Sequence, residues 1–346
     1  MMRNCSLIIF LIVFLIGQPM AQTNTIRNLV FEGGGIKGIA YGGALQVLHQ
    51  HRLLDSIQRV GGTSVGAITA ALLAVGYTPE EIVKTVNALS IKQFNDGQWI
   101  FIGGSRRLIK NFGWYRGERI MQWLQSCIAL KTNLPNLTFA QLHALAAQNG
   151  YRDLYVTGTN LTQQRVEVFS YETYPQMRIA DAVRISMSIP LYFKAVLLDS
   201  AGKVVPKIQA GQKANVFVDG GLRANFPVFM FDSTKYTSQH QSPNRYFDNP
   251  ETLGFRLVRS EQLTSPDKPA PYSIDTFGSY IGAFYNMVMS GLNEPAPSQN
   301  HKVIIINSLN FNPRIRKIPL TQKQQLLHSG QEAAKRFLIL VDKFTQ

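Results

Sequence analysis

Cysteine is almost absent: Cys5 and Cys127 are the two in a chain of 346 residues. With no CxxC pair and no close His/Cys cluster, neither a disulfide framework nor the ligand spacing of a structural zinc site is present. Charge is also sparse, at 16% against 45% hydrophobic residues, which excludes a disordered tail. No collagen or coiled-coil period, internal repeat or low-complexity tract occurs, and no Gly/Ser linker divides residues 27–232. A sequence of this kind and length folds as one large globular domain or as two small ones. Acidic residues are the scarcer sign, 21 against 35 basic, for a formal net charge of +14.

An apolar run long enough to span a bilayer, about 20 residues, is missing too. The N-terminal run from Leu7 to Gly17 follows Arg3 and leads into Gln18-Pro19-Met20-Ala21-Gln22. That order of basic, apolar and small residues reads as a secretory signal peptide over residues 1–21, cut after Ala21. The mature chain would be an exported protein, periplasmic or secreted, that keeps Cys127 alone and remains basic. Residues 22–346 are expected to form a single domain.

What is present from residue 27 onward is an alternation of short apolar runs and helix-like stretches. Asn28-Leu29-Val30-Phe31 reads as a buried strand, closed by Gly33-Gly34-Gly35 and followed by a helix over Ile39 to Leu54. A second strand over Ile57 to Val60 runs into Gly61-Gly62-Thr63-Ser64-Val65-Gly66 and a small, apolar helix over Ala67 to Val75. Thr78-Pro79-Glu80-Glu81 has capping-box spacing and should open a helix reaching Leu89. Another helix is expected over Glu118 to Leu130. Later strands are expected at 153–157, 166–169, 216–218, 254–258 and 303–306, with a C-terminal helix over Thr321 to Val341. Residues 233–250 and 260–300 read as loops. Strand, glycine turn and helix in succession point to an α/β fold with a mostly parallel central sheet flanked by helices.

Two glycine-rich turns carry the chemistry. Gly33-Gly34-Gly35-Ile36-Lys37-Gly38 satisfies GxGxxG, but the acidic residue that a dinucleotide site needs after the second strand is missing, since Asp55 stands before it. A phosphate loop fails because Ile39 follows Gly38. Taken alone, the turn suits either backbone N–H groups aimed into a cavity at a helix N-terminus, where an oxyanion is stabilised, or a tight strand-to-helix connection with no ligand. Gly62-Thr63-Ser64-Val65-Gly66 fits the GxSxG nucleophile elbow in its required setting between strand and helix, which makes Ser64 the candidate nucleophile. Of the six histidines, none stands in an evident catalytic setting. A buried carboxylate can act as base instead, and Asp219, closing Val216-Phe217-Val218-Asp219-Gly220-Gly221 at a strand end, is the candidate.

Taken in order, these blocks resemble the patatin-like phospholipases. The glycine loop with its basic residue Lys37, the elbow from Gly62 to Gly66, and Asp219-Gly220-Gly221 match that family's three main motifs. Gly113-Trp114-Tyr115-Arg116-Gly117-Glu118, Ala182 to Pro190 and Asn225-Phe226-Pro227 resemble its lesser ones, so the core motifs cover residues 27–230. The resemblance implies a three-layer sandwich. It also implies a Ser64/Asp219 dyad without histidine, an oxyanion hole of backbone N–H groups around Gly34, Gly35 and Ile36, and support from Gly33, Lys37, Gly38, Gly220 and Gly221. The implied activity is hydrolysis of fatty-acyl esters of phospholipids or other glycerolipids, with no metal and no cofactor.

All three tryptophans, Trp99, Trp114 and Trp123, lie between residues 92 and 131, among seven basic side chains and only Asp96 and Glu118 as acids. Tryptophan interleaved with basic groups suits an anionic membrane surface, and Trp99, Phe101, Arg106 and Arg107 are the expected contact residues. Trp123 reads equally as core. Nucleic acid could also draw on the basic balance, but no nucleic-acid module accompanies it and none is expected as a partner. Two alternatives remain open from the sequence: a Ser-Asp-His esterase using His240, His301 or His328, and a non-catalytic lipid-binding protein of the same fold.

Overall fold

The computed structural model describes residues 25–88, 94–97, 104, 107–109, 112–148, 150–207, 213–238, 247–264, 274, 280, 282–284, 287, 302–309 and 319–345. The expected signal segment, residues 1–21, lies outside them. Strand β1 (Asn28–Phe31) is buried at all four positions, as a strand covered on both faces must be. It sits between β2 (Arg59–Gly62) and β10 (Thr252–Val258), both parallel to it. The parallel block is completed by β4 (Asp153–Asn160) beside β2 and β11 (Lys302–Asn307) beside β10. From β4 onward the sheet turns antiparallel, through β5 (Arg165–Phe169), β9 (Asn215–Asp219), β7 (Val196–Leu198) and β8 (Val204–Val205). The α/β sheet expected from the sequence is therefore a mixed one, of nine strands among the described residues. A separate parallel pair joins β3 (Gly113–Tyr115) to β6 (Leu191–Phe193).

Alternation along β1 divides the interior. Leu29 and Phe31 join the larger core, built with α1 (Ile39–Gln50), α2 (Val65–Ala74), α3 (Pro79–Ala88), α4 (Glu118–Thr132), α5 (Phe139–Ala146) and α6 (Ile179–Ser186). Val30 points the other way, onto Tyr155, Val228, Met230 and Phe231. Among the described residues that second face is covered by 3-10 turns over Val228–Phe231 and Thr234–Tyr236. Trp123 packs on Phe94 with ring centroids 5.8 Å apart and belongs to the core. Cys127 is buried, and burial pushes its thiol up to about 11.

Boundaries moved where the determinant is not a residue type. Helix α1 stops at Gln50 rather than Leu54, because Arg52 takes a left-handed φ of 59° and closes a Schellman turn. In it Leu53 N–H donates to Leu48 O and Arg52 N–H to His49 O, both at 2.9 Å. Strand β2 lies two residues later than expected and absorbs Gly61 and Gly62. Residues 260–264, expected as loop, form the short helix α7 (Ser260–Thr264).

The C-terminal helix α8 (Leu320–Thr345) lies across α1 at a contact too close for side chains. A β-carbon on Gly43 would run into Leu327 O, and one on Gly330 into Ala40 O. Backbone meets backbone there, and neither helix can yield without losing the packing around Ala333 and Ala334. Gly330→Val should cost roughly 1–3 kcal/mol or more, read as a lowered urea midpoint; an unchanged midpoint would show that the two helices are not locked together.

Candidate active site

Strand β2 ends at Gly62, and α2 begins at Val65, so Thr63 and Ser64 make the whole turn. Ser64 is held at φ 54°, ψ −120°, a strained backbone for a residue with a side chain. Both flanking glycines are required by contact. A β-carbon on Gly62 would lie 2.6 Å from Gly66 C and 2.7 Å from Phe31 O, and one on Gly66 would lie 2.8 Å from Glu32 O. The turn thus passes directly under the end of β1. Ser64 is 7% exposed and stands at the N-terminus of α2, where partial positive charge favours an anionic oxygen. Its N–H donates to Ser186 Oγ at 2.8 Å, and its Oγ donates to Met187 Sδ at 3.6 Å.

Asp219 reaches the same place from the opposite direction. On β4, Val156 pairs with Gly62 of β2 and with Phe169 of β5, so β2 and β5 hold opposite edges. Gly158 pairs with Glu167 of β5 and with Asp219 of β9. A strand has only two edges, so β2 and β9 lie in line on one edge of β4, running head-on. Their ends are two β4 residues apart, roughly 7 Å at about 3.3 Å per residue. Thr157 fills the interval, its Oγ1 bonded to Thr63 Oγ1 at 2.6 Å. Asp219 is fully buried; its Oδ1 accepts from Gly221 N–H at 2.8 Å across the Gly220–Leu222 turn, and its backbone O accepts from Thr159 Oγ1 at 2.9 Å.

The end of α6 fastens both strand tips. Ser186 Oγ holds the Ser64 N–H, and Ser188 O accepts the Asp219 N–H at 3.0 Å. Arg184 on the same helix is buried and donates to Gly117 O, Arg116 O, Lys194 O and Ser188 Oγ. Burial lowers its guanidinium to about 10, opposed by the charges of Asp96 and Glu118. The motif pattern in the sequence marked Ala182 to Pro190 as a block; the separate tasks of Arg184, Ser186 and Ser188 emerge only when the two strands meet.

The glycine loop borders this turn. Residues Gly35–Gly38 form one 3-10 turn, and a β-carbon on Gly38 would lie 2.6 Å from Val65 Cγ2. Among the described residues no acceptor takes the N–H of Gly34, Gly35 or Ile36. Asn225 clamps the loop from the Asp219 side: its O accepts Gly33 N–H at 2.9 Å, and its Nδ2 donates to Gly33 O at 3.1 Å and Glu32 Oε1 at 3.2 Å. Burial raises the Glu32 carboxyl, opposed by the Leu257 N–H bond and by the charges of Arg256 and Lys37. Burial lowers the Lys37 ammonium, which Glu32 opposes and Arg259 reinforces.

The remaining expected residues fall elsewhere. Trp99, Phe101, Arg106, His240 and His301 lie outside the described residues. Arg107 donates from Nε to Trp114 O at 2.9 Å, a contact within the protein. His328 is exposed on α8 and borders a cavity with Asn307, at the β11 edge. Three strand spacings, roughly 14 Å, separate the β11 edge that His328 borders from β2. Ser186→Ala removes the acceptor of a buried N–H and should cost about 1–3 kcal/mol in urea unfolding; no loss would show that the elbow stands without α6.

Comparison with known proteins bears on the family and the fold. The model of a family described as patatin-like phospholipase matches residues 29–232. Uncharacterized protein R571 of Acanthamoeba polyphaga mimivirus is 26% identical over 324 residues, 91% of this chain and 94% of that protein. Probable lipid hydrolase 463L of Invertebrate iridescent virus 6 is 28% identical over 206 residues, 58% of this chain and 62% of that protein. Among solved structures, VipD of Legionella pneumophila shares the fold, with a TM-score of 0.55 at 16% identity, over 91% of this chain and 67% of that one. The chain belongs to the patatin-like phospholipase family and is a lipid hydrolase of that family.

Proposed function

We propose that the protein is a metal-independent acyl hydrolase of phospholipids or other glycerolipids, working through Ser64 and Asp219 and an acyl-enzyme. The observation that carries this reading is the shared β4 edge, on which β2 and β9 bring a strained serine and a buried carboxylate together. In the resting chain Ser64 Oγ faces Met187 Sδ. A rotation of its side chain turns the hydroxyl to Asp219, which takes the proton as Oγ attacks the ester carbonyl. The N–H groups of Gly34, Gly35 and Ile36 receive the negative charge that develops on the carbonyl oxygen. Asp219 then passes the proton to the leaving alcohol, and a water molecule deprotonated by Asp219 releases the fatty acid. No step needs a cofactor.

Lys37, with its ammonium already partly desolvated, supports the loop electrostatically from the side of Glu32. Export by the N-terminal segment and docking on anionic membranes through Trp99, Phe101, Arg106 and Arg107 belong to the same proposal, since a basic chain acting on lipid works at a charged surface.

Fatty-acid release from mixed phospholipid vesicles, with excess chelator present, tests the chemistry. Ser64→Ala and Asp219→Asn should each lower release by at least about a thousandfold while leaving the unfolding midpoint close to that of the parent. Undiminished release by Ser64→Ala would sink the nucleophile assignment. For the membrane surface, Trp99→Ala combined with Arg106→Glu should weaken binding to anionic vesicles several-fold, at roughly 1 kcal/mol per basic group, and spare hydrolysis of a small soluble ester. Equal loss on both substrates would count against a docking role.

A further inference from the structure

The side chain that accepts from the Ser64 hydroxyl, Met187, is not one the reaction uses. Met187 caps the end of α6, and its backbone N–H is tied to Val183 O at 3.0 Å. On either side stand Ser186 and Ser188, which hold the serine turn and the Asp219 strand. Its thioether is thereby fixed within 3.6 Å of Ser64 Oγ. Met177 and Met230 are sealed in the interior at 6% and 7% exposure, whereas Met187 packs on the core with part of its side chain uncovered. Any opening that admits an ester carbonyl to Ser64 also admits a solute as small as a peroxide.

We infer that Met187 is an oxidative modification site, whose conversion to the sulfoxide by a peroxide switches the hydrolase off and whose reduction restores it. The inference rests on the reading of Ser64 as nucleophile. In the step, a sulfur lone pair attacks one peroxide oxygen, the S–O bond forms and the O–O bond breaks. The proton on the transferred oxygen leaves with the departing hydroxide as water. The thioether is oxidised by two electrons and the peroxide is reduced by two, so nothing further is required.

The consequence for Ser64 follows from acceptor strength and from space. A thioether is a weak acceptor, which a serine hydroxyl leaves readily. A sulfoxide oxygen is a strong one, and at this separation it captures the Ser64 hydroxyl or fills the volume where the substrate carbonyl must lie. Either outcome withholds the nucleophile. The flexible apolar side chain also becomes polar and chiral, and so no longer suits the apolar wall it occupies.

The test treats the purified chain with graded hydrogen peroxide, maps each methionine by peptide mass spectrometry and follows fatty-acid release from the same samples. Met287, 79% exposed, reports the oxidation of an open methionine. Release should fall at least tenfold in step with the gain of one oxygen on Met187, not on Met287. It should return on treatment with methionine sulfoxide reductases of both stereospecificities and dithiothreitol. Met187→Leu, close in volume and without sulfur, should keep its own untreated activity through the same exposure. Full oxidation of Met187 with release intact would overturn the inference. So would a loss that tracks other methionines and persists in Met187→Leu, or a Met187 that stays unoxidised in the folded chain. The mass readout does not depend on turnover, and Ser64→Ala separately decides the nucleophile, so the two failures are distinguishable.

Discussion

Two strands running head-on along one edge of β4 are the constraint on which the site depends. Strand β2 arrives parallel and stops at Val156; β9 arrives antiparallel and stops at Gly158. Neither chain can continue, so each must leave the sheet, one through Thr63 and Ser64 and the other through Gly220 and Gly221. The positive φ of Ser64 and the tight turn after Asp219 are both products of that collision. Strain of this kind persists only where neighbours over-determine it. Here the neighbours are Phe31 O beneath the elbow, Thr157 between the strand tips and the end of α6 above them.

Arg184 shows how the surroundings keep that arrangement rigid. A buried guanidinium is costly unless its donors are used, and it binds three backbone carbonyls and the Ser188 hydroxyl. Those carbonyls belong to Arg116 and Gly117, at the start of α4, and to Lys194 after β6. One side chain therefore links the small β3–β6 pair to the helix that ends at Ser186 and to Ser188 just beyond it. Asp96 adds to this by accepting from Gly117 N–H at 2.7 Å and Arg119 N–H at 3.1 Å.

Much of this was legible in the sequence, and what was not has identifiable causes. The turns at Ser64 and after Asp219 were readable because the glycine spacing around them reflects steric demands that no other residue meets. The buried strand Asn28–Phe31 and the capping box at Thr78 and Glu81 were readable because their determinants are local. The box at Thr138 and Gln141 that opens α5 was equally local and marks a helix the periodicity did not single out. The end of α1 was illegible because Arg52, not glycine, takes the left-handed position. In the antiparallel half of the sheet β5 and β9 were expected as strands at 166–169 and 216–218, whereas β7 and β8 were illegible because strands of two or three residues carry no periodic signal. The roles of Ser186, Ser188 and Arg184 depend on partners far away in sequence, and no window along the chain contains both.

The glycine contact between α1 and α8 has a bearing on when the protein becomes competent. Helix α1 continues directly from the glycine loop, and its outer surface is covered by the last helix of the chain, with Gln331 Nε2 bonded to Gln46 Oε1 at 3.1 Å. The loop that would receive the oxyanion is therefore braced by residues synthesised some 290 positions later. A nascent chain carries the serine, the carboxylate and the glycines long before it carries the brace. Competence therefore waits on a late event, the closing of helix α8 over helix α1.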